Sequence, residues 1–463
     1  MNDPCLMTAE ALGQAFAARH LSPVEVTQAV LARIARHGAR LNAFTRVDEE
    51  GALSQAHAAE TRYVAAAPLS PIDGVPTTIK GLNFVRGWPC ERGSKLIDPT
   101  PVTEDAPVTA RLREAGAVLI GHTTSPEFGW KGLCDSPLTG ITRNPWNIAH
   151  SSGGSSGGAA VAAACGFGTL HQGSDGAGSI RIPAAFTGIF GIKGNFGRVP
   201  VYPASAYRTV SHVGPMTRTV RDSALMLNVI QRPDPRDPTA LPYDGRDFLV
   251  GIDAGVRGLR LGYSPRLGRH KVHPDIAARV DAAVKTLAAL GAIVEQVDPE
   301  MPDPAQAELV IWSSATAKLH GTLPQHRLGE LDPGFRAMAE IGKRWTMSDW
   351  YDADAVRMAL GRALELYFRR FDALITPTMP IPALKAGQDL DDPTTEKTWL
   401  DWSPFSYPFN ITGHPAASIP CSFTTAGLPV GLQIVGRLYD EAKVLRIARG
   451  FEHAMPPIFP KLD

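Results

Sequence analysis

From residue 150 to residue 179 the chain reads HSSGGSSGGAAVAAACGFGTLHQGSDGAGS, with glycine or serine at most positions outside one alanine-rich core. Glycine loses more backbone entropy on folding than any other residue, so this density implies close backbone approach or unusual dihedrals. A flexible Gly/Ser linker has a similar composition. Against that reading, residues 159–164 are strong helix formers and apolar all round, as expected of a buried helix that starts just after a glycine-rich loop. Downstream stand four small consecutive residues, Gly176, Ala177, Gly178 and Ser179, whose successive backbone N–H groups could converge on one point. Such a nest binds an anion, and an oxyanion is one. Ser179 at its end is then a candidate nucleophile, with a tight turn around a buried serine as the plain alternative.

A serine nucleophile needs a base. None of the 13 histidines provides a local partner: His150 and His171 are nearest in sequence and read as structural. No H-E-x-x-H occurs, and His270 with His273 lacks further ligands nearby, so no metal is expected. Phosphate-loop and dinucleotide fingerprints are absent too, and no cofactor is expected. The remaining candidate is Lys80, which ends the apolar run of DGVPTTIKG, where a charged side chain is costly unless paired or neutralised. A rival site comes from the G-x-S-x-G match at 153–157, the elbow motif of α/β-hydrolase esterases, which would make Ser155 the nucleophile. That motif must follow a buried strand, and the preceding NPWNIAH does not read as one.

The rest of the chain reads as α/β. Residues 22–38 form an amphipathic helix with Ser22 as N-cap, Pro23 at the first position and Glu25 closing a capping box. Helix-to-strand units stop at Gly116 and Gly291, and buried strands are expected at 77–79, 259–263, 373–375 and 432–435. A mixed sheet wrapped by helices follows. Residues 231–251, rich in Pro and Asp, suit a surface excursion between two halves, and the helical, aromatic stretch 302–402 suits a cap over a pocket. With 46 basic and 46 acidic residues there is no field for nucleic acid or anionic lipid. Five scattered cysteines argue against a disulfide framework, and with no signal-like N-terminus or spanning run the expected setting is the cytoplasm.

Taken together, PIDGVPTTIKG (71–81), GAVLIGHTTSPEFG (116–129), NPWN (144–147), GGSSGGAAVAAA (153–164), GSDGAGSIRIPA (173–184), GPMTRTVRD (214–222), TPTMP (376–380), PFNITGHPA (408–416) and GLPVGLQIVG (427–436) resemble the amidase signature family. The resemblance implies one amidase domain over 1–463, a central mixed β-sheet covered by helices on both sides. It comprises an N-terminal helical region to about 70, a catalytic core at about 71–225 and a substrate cap at about 300–402. It implies a Ser-Ser-Lys triad of Ser179 as nucleophile, Ser155 as the cis-peptide serine and Lys80 as base. Backbone N–H groups of Gly176, Ala177, Gly178 and Ser179 form the oxyanion hole. Asp175 and Arg181 are scaffold, and Gly129, Trp130, Leu133 and Cys134 line the pocket. This chain departs from the family in Gly81, where many relatives have aspartate, and in Asp-Gly-Ala-Gly-Ser for the commoner Asp-Thr-Gly-Gly-Ser.

The implied activity is hydrolysis of the C–N bond of small to medium hydrophobic amides, aryl acylamides first and carbamates or urethanes second. The substrate is a small molecule, and the chain is expected to be a monomer or homodimer. The glutaminase subunit of a tRNA-dependent amidotransferase is the alternative. Those subunits commonly carry glutamine after Ser-Ile-Arg, where this chain has Ile182.

Overall fold

The computed structural model describes residues 3–462. The sequence folds around one eleven-stranded mixed sheet. In chain order the strands are β1 (Phe44–Val47), β2 (Pro76–Lys80), β3 (Val118–Thr123), β4 (Asp135–Ser136), β5 (Gly140–Ile141), β6 (Leu170–Asp175), β7 (Phe190–Lys193), β8 (His212–Thr217), β9 (Arg260–Tyr263), β10 (Ile293–Gln296), β11 (Ala373–Pro377), β12 (Ala416–Phe423) and β13 (Pro429–Gly436). The order across the sheet is β1-β3-β2-β6-β8-β7-β12-β13-β11-β9-β10, and β4 and β5 form a separate two-stranded piece. β2 runs parallel to both β3 and β6, while β6 is antiparallel to β8. The C-terminal end of β2, where Lys80 sits, thus lies between two sheet neighbours in the molecular interior, which is why a lysine there is buried.

The capping box at Ser22 forms as expected, with both of its reciprocal hydrogen bonds, and its helix runs Pro23–Leu41. That is three residues beyond the expected end at Gly38, and it closes on Asn42 in the left-handed conformation. The two helix-to-strand units are helix Pro107–Glu114 into β3 and helix Pro274–Ala289 into β10. The alanine-rich helix, Gly157–Cys165, is buried along its whole length. Residues 231–251 carry no helix or strand.

The expected cap at 300–402 is not one uniform element. Helices Ala305–His320, Pro333–Gly342 and Met347–Tyr367 stand outside the sheet, but β11 within the same stretch is one of its interior strands. The aromatic run 399–409 also divides. Trp399, Trp402 and Tyr407 join the cluster that holds Ala177 and Trp312, while Phe405 and Phe409 pack with Leu364 and Leu374 in another. No described helix is long and apolar enough to cross a membrane.

Candidate active site

Three stretches far apart in sequence meet at the end of β2. Lys80 is fully buried, and its Nζ lies 2.7 Å from Ser155 Oγ, 2.9 Å from Ser156 Oγ and 2.9 Å from Ser174 Oγ. All three partners are hydroxyls, and Lys80 takes part in no ion pair among the described residues. Burial without a neutralising carboxylate disfavours the ammonium form, and the amine is pushed down from an ordinary 10.5 to about 7, with Cys134 and Asp175 opposing the shift.

Ser155 and Ser156 are chemically distinct. The Ser156 hydroxyl donates to the Ser174 carbonyl at 3.0 Å and accepts from the Ser174 N–H at 3.1 Å, so it is locked between Lys80 and β6. Ser155 has no such second tether and follows a cis peptide bond from Gly154. The loop is pressed against its neighbours: a Cβ on Gly154 would stand 2.0 Å from the Leu133 carbonyl oxygen. Ser179 is 2 % exposed, and its carbonyl accepts the N–H of Ser156 at 3.1 Å, which joins the two serine loops. The elbow reading of Ser155 fails on structure. Residues 144–156 contain only isolated bridges, and no strand leads into Gly157–Cys165. His150 and His171 bond Ala383 and Thr78 instead of either serine.

The nest after β6 departs from expectation at one position. Gly178 N–H donates to Asp175 Oδ1 at 2.7 Å, which removes it from the expected set of four and leaves Gly176, Ala177 and Ser179. Asp175 is itself fully buried and paired with Arg181 through two 3.0 Å contacts. Although burial opposes ionisation, the Arg181 guanidinium holds the Asp175 carboxyl well below the usual range. Arg181 spends its remaining donors on the Ser406 carbonyl, Gln433 and Asn410. Every polar group of this pair is occupied within the protein, as a rigid base for the nest requires.

The four residues read as pocket lining take different places. Gly129 adjoins Ser155: a Cβ there would be 3.2 Å from Ser155 Oγ. Leu133 abuts Gly154 through its backbone. Cys134 points its thiol to Thr124 and Thr142, and burial pushes that thiol up, so it is held protonated. Trp130 packs edge-on against Phe335 of the outer helices, and its carbonyl accepts Trp312 Nε1–H at 2.9 Å. Trp312 carries no motif in the sequence, yet its ring covers the nest: a Cβ on Gly176 would meet it at 2.9 Å. Tyr207 stacks on the Trp312 ring at 3.8 Å. A cavity of about 90 Å³, lined in part by Asn83, Phe128, Ser174 and Tyr207, opens beside the lysine cluster. Ser156 and Ser174 also escape sequence reasoning. Their only signal there is adjacency, each standing beside a candidate residue. Among the described residues no group of three or more His, Cys, Asp or Glu is placed to hold a metal ion.

Comparison with known proteins decides the family, since the Amidase family model matches residues 25–445. The chain belongs to the amidase family. It is accordingly a hydrolase of carbon–nitrogen bonds other than peptide bonds, with the amidase signature fold. It is 35% identical to an acylamidase of Rhodococcus erythropolis, over 97% of this chain and 96% of that one. It is 37% identical to a glutamyl-tRNA(Gln) amidotransferase subunit of Myxococcus xanthus, over 95% of this chain and 96% of that one. The crystal structure of a bacterial aryl acylamidase of the amidase signature enzymes superposes with a TM-score of 0.90 at 28% identity, covering 97% of this chain and 96% of that one. Relatives of both kinds, acylamidase and amidotransferase subunit, thus span nearly the whole molecule.

Proposed function

We propose that this amidase hydrolyses small to medium hydrophobic amides, aryl acylamides first and carbamates second, through an acyl-enzyme on Ser179. The observation that carries the reading is the state of Lys80: buried, surrounded by hydroxyls and near neutral pH in its titration. A neutral amine 2.7 Å from Ser155 can take that hydroxyl's proton, and Ser155 in turn takes the proton of Ser179. The Ser179 alkoxide attacks the carbonyl, and the oxyanion is held by the N–H groups of Gly176, Ala177 and Ser179, each donor contributing about 3 to 4 kcal/mol in comparable sites. Ser155 then returns its proton to the leaving nitrogen, because an amide anion does not leave unprotonated. Water completes the cycle by the same relay. Asp175 and Arg181 position the nest, Gly129 and Leu133 shape the approach to Ser155, and the outer helices act as the cap through Trp312.

The preference for apolar substrates is supported by the aromatic wall of Trp130, Tyr207, Trp312, Trp399 and Trp402 around the nest. Likeness to the amidotransferase relative favours a second reading, release of ammonia from glutamine. Ile182 speaks against it: it is fully buried beneath the serine loops, within 3.2 Å of where a Gly153 Cβ would lie. The test is hydrolysis of a chromogenic anilide and of glutamine by the purified protein beside Ser179→Ala, Ser155→Ala and Lys80→Ala. Anilide turnover that collapses in all three folded variants is expected. Turnover of glutamine alone moves the protein to the second reading, and activity that survives Ser179→Ala overturns the mechanism.

A further inference from the structure

The outer helices carry a buried carboxyl that the mechanism does not use. Glu308, in helix Ala305–His320, is fully buried, and neither carboxyl oxygen has a hydrogen-bond partner among the described residues. It lies one helical turn before Trp312 on the same face, and Trp312 is the ring that covers Gly176. A second route leads to the same place. Tyr407 is near enough to Glu308 to feel its charge, and the adjacent Ser406 hydroxyl donates to the Ala177 carbonyl at 2.6 Å. Glu308 is thus one helical turn from the ring that covers the nest.

Among the described residues nothing compensates it. The cation that acts on it, Arg357, bonds Thr209 and makes no hydrogen bond to the carboxyl. Buried polar groups in folded proteins are almost always hydrogen-bonded, and an exception calls for an explanation, of which a partner from outside the chain is one. Three more exceptions share the wall: Tyr207 Oη, Trp130 Nε1 and Trp399 Nε1 are buried and unpaired, and Trp399 meets Trp312 edge-on at 5.4 Å. Four side chains with unsatisfied groups thus stand near the aromatic ring that roofs the nest.

We propose that Glu308 is a specificity-determining residue that hydrogen-bonds a second, non-reacting carboxamide of the substrate. The inference rests on the amide-hydrolase reading above and narrows its substrate class to apolar amides that carry another amide at the far end. Burial pushes the Glu308 carboxyl up to about 8, so at neutral pH it offers one O–H donor and one carbonyl acceptor. That pair matches the C=O and N–H of a carboxamide. An apolar terminus leaves both groups unsatisfied.

The experiment uses two anilides of equal acyl length, one ending in a carboxamide and one in an isopropyl group of similar shape. kcat/KM is measured for wild type, Glu308→Gln and Glu308→Leu, and binding of both anilides to Ser179→Ala is measured by calorimetry with and without Glu308→Leu. Wild type is expected to prefer the carboxamide by about tenfold or more. Glu308→Gln, which also offers a donor and an acceptor, keeps that preference. Glu308→Leu loses it while its rate on the isopropyl anilide holds. The proposal is overturned if wild type shows no preference, if Glu308→Leu slows both anilides equally, or if Glu308→Gln behaves as Glu308→Leu. If neither anilide is hydrolysed by any protein, yet Ser179→Ala binds the carboxamide more tightly only with Glu308 present, the hydrolase reading fails and the Glu308 assignment stands.

Discussion

Lys80 and Lys131 are both buried, at 0% and 2% exposure, and they are driven to opposite charge states. Lys80 faces three hydroxyls, and desolvation takes its amine down to about 7. Lys131 suffers the same desolvation but meets Asp135 at 2.8 Å, Asp389 at 3.0 Å and Asp332 at 3.2 Å, which together push its amine up. Burial alone therefore does not decide what a lysine does; its partners do. A lysine among hydroxyls can lose its proton, as Lys80 must to act as the proposed base. A lysine among carboxylates is a clasp, and here it ties the site loop beside Trp130 to the start of helix Pro333–Gly342 and to the loop at Asp389.

The largest effect is expected from a charge-preserving swap at both positions. Arginine cannot be deprotonated in a protein, so Lys80→Arg should lower kcat/KM by on the order of a thousandfold or more, as loss of a relay member does. Lys131→Arg keeps the charge that its aspartates require and should retain most activity. Equal tolerance at the two sites would erase the distinction between base and clasp.

Removing the charge reverses the ranking for stability. Lys131→Met leaves Asp332 buried without its cation, a loss of about 2 to 3 kcal/mol once the partial exposure of Asp135 and Asp389 is discounted. Denaturant unfolding checks this, and an unchanged midpoint would show that the clasp contributes nothing.

The comparison also fixes a pH dependence. In the proposed mechanism Lys80 works only when neutral, so kcat/KM should rise about tenfold per unit as pH climbs toward 7 and level off above it. A rate limb near the ordinary lysine value would mean that burial does not neutralise Lys80 in solution.

Much of this is legible in the residues, and what is not shares a cause. The capping box at Ser22, the turns at Gly116 and Gly291 and the triad candidates all depend on local pattern or on short motifs. β6, β8 and β12 escape such a reading because LHQGSD, HVGPMT and AASIPCSF break the apolar pattern expected of buried strands. Several of their polar side chains are satisfied by residues remote in sequence. Gln172 accepts the Lys80 N–H, for example. The correction at Gly178 has a related reason. Spacing shows that N–H groups can converge, but not that Asp175 takes one of them. Trp312 looks like an ordinary helix residue until the fold sets its ring over the nest.

The last expected effect is on the pH dependence of stability, and its sign follows from the same shift. In the unfolded chain Lys80 binds its proton up to about 10.5, and in the folded protein only up to about 7, so between these values the unfolded state holds more protons. Stability then rises with pH across that window, by up to about 1.4 kcal/mol per unit from this group, and the full penalty is present below pH 7. Lys80→Met removes the penalty. The inactive variant should therefore melt higher than wild type, with a larger margin at pH 6 than at pH 9, whereas Lys131→Met should melt lower at both. A margin at Lys80 that does not depend on pH would mean that the lysine keeps its proton when folded, and the base would have to be sought elsewhere.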